Sequence, residues 1–212
     1  MTPLRRMLET VHVTAAGLWC GATAMTGAAA AIIFPKVRDL DPTLATYPDY
    51  TGEHWRLAAG QVAARLFTVG DAVGFVCAML AGVSLVLVAA GRDAWRTRAI
   101  TLTRLTVFSA ALGLIAYNLL VLGARMNTNL GAYWRAAAAG ENEAAAAAQQ
   151  AFMADHGPAS AVLVAMTLAT LALTITGTLG ATATPRDDES AGPRNSSIKP
   201  SSPRLEKPAL AT

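Results

Sequence analysis

Apolar residues run through this chain in four long blocks, at 11–34, 71–90, 105–124 and 158–180. A helix needs about 20 such residues to cross about 30 Å of hydrocarbon. From Ala72 to Ala90, from Leu105 to Ala124 and from Pro158 to Gly180 there is no charged side chain. The first block is the weakest, being rich in Ala, Gly and Thr and carrying His12. The alternation that marks a barrel strand is absent. In lipid the backbone must satisfy its own polar groups, so each block is expected to be a helix. The fold class that follows is all-α, an integral membrane four-helix bundle.

The segments between the blocks refine this plan. Pro35, Pro42 and Pro48 punctuate the first connection, and its HWRLAAGQ end has a helical composition, so the second helix should start before the bilayer. Between Arg125 and Gly157 the chain is rich in Ala, Glu and Gln, strong helix formers. The third and fourth helices should therefore project out of the membrane and turn at Gly140 to Asn142. From residue 182 to 212 Pro, Ser and charged residues leave almost nothing to bury, which predicts a disordered tail behind a single domain at 1–181. Arg5 and Arg6 before an apolar run could introduce a signal peptide. The run is long for that and contains His12 and Trp19, so a retained first helix is expected.

Small residues recur at helical spacing, Gly17, Gly21, Ala24 and Ala28 in the first block and Gly70 and Gly74 in the second. They permit the close backbone approach on which helix association in lipid depends. Packing within one bundle accounts for them, though a homo-oligomer or a membrane partner would use the same surfaces.

Charge sets the orientation. The N-terminus, the second connection and the tail carry Arg5, Arg6, Arg92, Arg96, Arg98, Arg104, Arg186, Arg194, Lys199, Arg204 and Lys207. The other side carries Lys36, Arg38, Arg56, Arg65, Arg125 and Arg135. Lys and Arg concentrate on cytoplasmic flanks, so both termini should face the cytoplasm, in a plasma or inner membrane. The net charge of +3 follows from that bias and calls for no nucleic-acid partner. Cys20 and Cys77 lie inside blocks, far from any CxxC spacing, and read as packing residues.

Ionisable groups in spans are costly and usually pair or mark a pathway. Asp71 and Arg125 fall at the same end of neighbouring antiparallel helices, which suggests an ion pair, with Arg65 as the other possible partner of Asp71. Arg104 should snorkel to the headgroups. Asn118, inside the third span, either lines a cavity or makes a hydrogen bond between helices. His12 belongs to the opposite end from His54 and His156, so only His54, Asp155 and His156 could gather as metal ligands. No HExxH, P-loop, G-x-S-x-G or paired-acid arrangement is present, and no catalytic, cofactor or metal residue is assigned. Asp71, Asn118, Arg125 and His156 form the candidate polar cluster.

Several of these residues also fall into patterns. His12, Trp19 and Gly21 stand in HVTAAGLWCG, and Asn118 precedes Arg125 by seven residues in NLLVLGARM. Phe152, His156, Gly157 and Ser160 form the F-x-x-x-H-G-x-x-S of FMADHGPAS. Together, from about Leu8 to Gly180, the chain resembles the transmembrane protein 205-like family, also called domain of unknown function 4149. Val164 departs from the family, which often has an Asn there. The resemblance implies a four-helix membrane protein with no settled activity, and gives weight to Asn118, Arg125 and His156 as one outer cluster. The expected function is non-enzymatic handling of a small solute or ion through an outward-facing polar vestibule. The alternatives are a membrane scaffold or assembly factor, and a copper- or haem-handling membrane protein.

Overall fold

The computed structural model describes residues 2–91 and 98–182. Four antiparallel rods make up the fold. They are α1 (Pro3–Leu40), α2 (His54–Ala89), a composite third rod, and α5 (Asn142–Thr182). The third rod joins α3 (Arg98–Tyr117), a π-helical segment (Asn118–Leu122) and α4 (Gly123–Ala138). No strand occurs among the described residues. The disordered tail expected after residue 182, and Arg92 and Arg96 of the second connection, lie outside them.

Every rod is long and apolar enough to cross a membrane. Their surfaces fit a lipid solvent. Leu18, Met25 and Ile32 on α1, Leu80, Val83 and Leu87 on α2, Leu112 on α3, and Leu168, Leu171 and Ile175 on α5 all point outward. A water-soluble bundle would bury such a continuous apolar surface, whereas in a bilayer it is the lipid face. The residues buried inside are smaller: Ala15, Ala16 and Ala81 are buried, and Ala78 and Ala111 cluster with Trp19 and Ile115. This protein is a multi-spanning integral membrane protein.

Local chemistry fixes the ends. The Thr2 hydroxyl accepts the Arg5 N–H at 3.3 Å and Pro3 occupies the first turn, where its missing N–H is not needed. The helix continues through Pro35, where the first connection was expected to begin, and stops at Leu40. Asp41 then turns left-handed, with φ 37°, and its N–H closes on the Arg38 carbonyl. As expected, α2 starts at His54, well before its apolar block. Just outside it, the Arg56 guanidinium beside Glu53 holds that carboxyl below the usual range. The turn between α4 and α5 lies at Gly140, which adopts a φ of 73°.

The first connection folds over that turn. Tyr47, Tyr50, Leu57, Tyr133, Ala137 and Ala145 form a second small core there, beyond the apolar spans. Tyr50 and Tyr133 share a hydroxyl hydrogen bond of 2.9 Å. Asn142 accepts the Thr51 N–H at 2.8 Å and donates to the Asp49 carbonyl at 3.1 Å. This is the capped end of the bundle; the other is the termini end.

On α5 the threonine hydroxyls are satisfied within the helix itself. Thr167, Thr170, Thr174, Thr176, Thr178 and Thr182 all donate to carbonyls one turn earlier. That arrangement lets a polar residue face apolar surroundings without an orphaned hydrogen.

Candidate functional site

Polar groups inside the bundle collect at three depths. At the termini end, Glu9 and Arg104 form a two-pronged pair, with Nη1 donating to Oε1 at 3.2 Å and Nη2 to Oε2 at 2.7 Å. Both side chains are only 2 % exposed. Arg104 therefore does not snorkel to headgroups as expected. Glu9, which the sequence reading passed over, neutralises it in place, and a matched pair relieves the desolvation that would otherwise push the guanidinium outward. Space for it comes from α5, where a Cβ at Gly180 would lie 2.7 Å from Nη1.

His12 sits close by and is fully buried. Its Nδ1–H donates to the Ala81 carbonyl at 2.9 Å, since a carbonyl can only accept. The opposite nitrogen, Nε2, is buried without a partner and lies beside Gly177.

At mid-depth Asp71 meets Asn118, whose amide donates to Oδ1 at 3.4 Å. The pairing of Asp71 with Arg125 expected from the sequence does not occur, and no ion pair joins Asp71 to Arg65. Depth explains the difference. Arg125 follows Asn118 by seven residues, which is about 10 Å along a helix. Asn118, not Arg125, stands at the level of Asp71. Among the described residues Asp71 makes no ion pair.

Asp71 also lines a small cavity, about 20 Å³, between α1, α2, α3 and α5. Trp19, Thr23 and Thr26 face it from α1. Two glycines flanking Asp71 let these groups come close. A Cβ at Gly70 would lie 2.6 Å from the Thr26 hydroxyl, and one at Gly74 would lie 3.2 Å from the Trp19 indole nitrogen. The Trp19 N–H is fully buried and has no partner.

Toward the capped end Arg125 turns to α5. Its Nε and Nη2 donate to Asp155 at 2.8 and 2.5 Å. The carboxylate is nearly buried while the guanidinium is 54 % exposed, so the pair forms a wet rim rather than a dry lock. His156, the next residue, faces elsewhere. Its ring tilts against Phe152, 6.1 Å between centroids, and the Ser160 hydroxyl donates to its carbonyl at 3.0 Å. No hydrogen bond joins His156 to Asp71, Asn118 or Arg125. The expected cluster of Asp71, Asn118, Arg125 and His156 is thus an inner pair, a separate rim residue and a histidine apart. Nothing lies within 4 Å of the position a Cβ at Gly157 would take, and the same is true at Gly21.

His54 belongs to the cap. Its Nδ1 accepts the Leu44 N–H at 3.0 Å, so Nε2 carries the proton and donates to the Tyr50 carbonyl at 3.0 Å. Both ring nitrogens are occupied, and Asp155 is engaged by Arg125. Among the described residues no three His, Cys, Asp or Glu side chains stand close enough to share a metal ion.

No protein-family model matches this chain, nor does any curated protein or solved structure.

The π-segment is the site feature that sequence reasoning missed. It begins at Asn118, and the Gly123 N–H reaches back to the Asn118 carbonyl, five residues away. Such one-turn π segments recur at functional sites in helices. The only sequence signal is Gly123 itself. A Cβ there would stand 2.7 Å from the Asn118 carbonyl oxygen.

Proposed function

We propose that this protein is a non-enzymatic membrane protein that handles a small solute or ion through a polar vestibule on the side away from its termini. What carries the reading is Asp71, a carboxylate at mid-depth with a single amide for company and a cavity beside it. Uncompensated carboxylates are rare inside membrane spans and generally belong to a ligand path. Arg125 and Asp155 form the rim above it, and their half-wet geometry suits a point of entry better than a structural lock. The orientation, with both termini in the cytoplasm of a cell bounded by a plasma or inner membrane, belongs to the same proposal and rests on the bias of Arg and Lys. Membership in the transmembrane protein 205-like family is part of the proposal too, and rests on the motifs of His12, Trp19 and Gly21, of Asn118 and Arg125, and of Phe152, His156, Gly157 and Ser160.

Permeability of vesicles containing the purified protein tests the reading, with sodium, ammonium, chloride, urea and glycerol as probes. The wild type should pass at least one of them, and Asp71→Asn and Arg125→Ala should lose it while remaining folded. Vesicles with wild-type protein as tight as protein-free vesicles to every probe would defeat the proposal.

A further inference from the structure

We propose that the cavity at mid-depth is a proton-binding site, formed by Asp71 together with one internal water that the Trp19 indole N–H and the Thr23 and Thr26 hydroxyl oxygens hold. This deepens the reading of Asp71 given above and rests on it in taking Asp71 as the working residue.

The size of the cavity, about 20 Å³, suits one water molecule. A buried water needs about 10–15 Å³ and two to four polar partners. The lining provides them. Trp19 offers one donor and no acceptor, and it has no protein partner. The Thr23 hydrogen is committed to the Trp19 and Cys20 carbonyls, and the Thr26 hydrogen to the Ala22 carbonyl. Both threonine oxygens therefore keep lone pairs as acceptors. Asp71 gives one oxygen to a long contact with Asn118 and retains the rest of its accepting capacity. One donor with several acceptors is the complement of a water, which accepts once and donates twice.

The same inventory selects against a bare metal cation. A sodium ion would satisfy Asp71 and the threonines, yet it would leave the indole N–H orphaned and directed at a positive charge. A proton is the cation that this lining accommodates. It arrives along the water and forms an O–H bond on an Asp71 carboxylate oxygen, converting carboxylate to carboxylic acid with no electron transferred. The new O–H then donates back to the water.

Asp71 is the one ionisable residue among those that line the cavity, and the Cys77 thiol packs in the same core cluster as Trp19, Ile115 and Met166. From α1 the cavity is faced by Trp19, Thr23 and Thr26, from α3 by Ile115, and from α5 by Leu163 and Met166. On α2 its neighbours are Gly70 and Gly74, and the π-segment contributes the Asn118 amide. No Lys, Arg or His lines the cavity.

Infrared difference spectroscopy on the full chain in lipid nanodiscs, read while pH is lowered, tests the site. The wild type should develop a carboxylic C=O stretch that Asp71→Asn lacks. Trp19→Phe keeps an aromatic side chain but loses the five-membered ring and with it the N–H that anchors the water, so it should shift the frequency of that band while leaving its amplitude. Should Asp71→Asn fail to fold, the Trp19→Phe shift carries the test alone. A band unmoved by Trp19→Phe, a difference spectrum identical in wild type and Asp71→Asn, or a band that sodium abolishes at constant pH would each overturn the proposal. The vesicle assay can fail while this band stands, and the reverse also holds, so the two readings are separable.

Discussion

Single charges in this bundle are governed by what stands at the same depth. Arg104 and Glu9 lie just outside the apolar blocks that hydropathy draws, so hydropathy alone sends Arg104 to the headgroups and gives Glu9 no role. Neither their partnership nor the notch at Gly180 leaves a mark in periodicity. The pairing makes a definite energetic claim. Removing one member of a buried ion pair strands the other and costs about 3–5 kcal/mol, whereas apolar replacement of both can be neutral. Arg104→Ala should therefore lower thermal stability in detergent markedly. Glu9→Leu combined with Arg104→Met should recover most of the loss. Equal destabilisation by the single and double variants would show that the pair is not the reason for the burial of Arg104. Asp71 was legible as a charge needing an explanation, because an acid beside a charge-free block is conspicuous. Its partner was misread because placing two residues at the same end of neighbouring helices does not resolve a difference of two turns.

At the level of elements, the helices themselves were readable from length and composition, including the early start of α2 and the turn near Gly140. The π-segment was not, because a single wide turn adds one residue to an otherwise regular helix, and in a block apolar on nearly every side the resulting phase shift leaves no mark. Its dependence on Gly123 can be checked through a sign. In an ordinary helix, replacing Gly by Ala stabilises by about 0.5–1 kcal/mol. At Gly113, in α3, nothing lies within 4 Å of an added Cβ, and Gly113→Ala should raise or preserve the melting temperature. At Gly123 the added carbon would press on the backbone carbonyl of Asn118, so Gly123→Ala should lower it. Melting curves in one detergent decide the matter. An increase for both variants would mean that the third rod is regular through Asn118.

For the molecule as a whole, the four-rod plan was the most legible property, since lipid sets a length that composition alone can meet. What the sequence left out was the cap. Its tyrosines and Asn142 come from segments about ninety residues apart, and no local pattern couples them. Among the described residues, Thr2 and Thr182 lie at one end of the bundle and the cap at the other. Impermeant thiol reagents applied to intact cells should label Glu141→Cys in a background free of Cys20 and Cys77, and should spare Thr2→Cys. Labelling of both positions, or of Thr2→Cys alone, would contradict the proposed orientation.

One arrangement on α5 has a mechanical consequence. Beyond Asp155 the helix meets Pro158, which supplies no N–H to the turn before it, and then a ladder of threonines whose hydrogens all stay at home. Past that proline, α5 is held by shape and by little else that is directional. Flexing at Pro158 would swing Gly177 and Gly180 off His12 and Arg104 and open the flank of the bundle to lipid, with the tyrosine cap undisturbed.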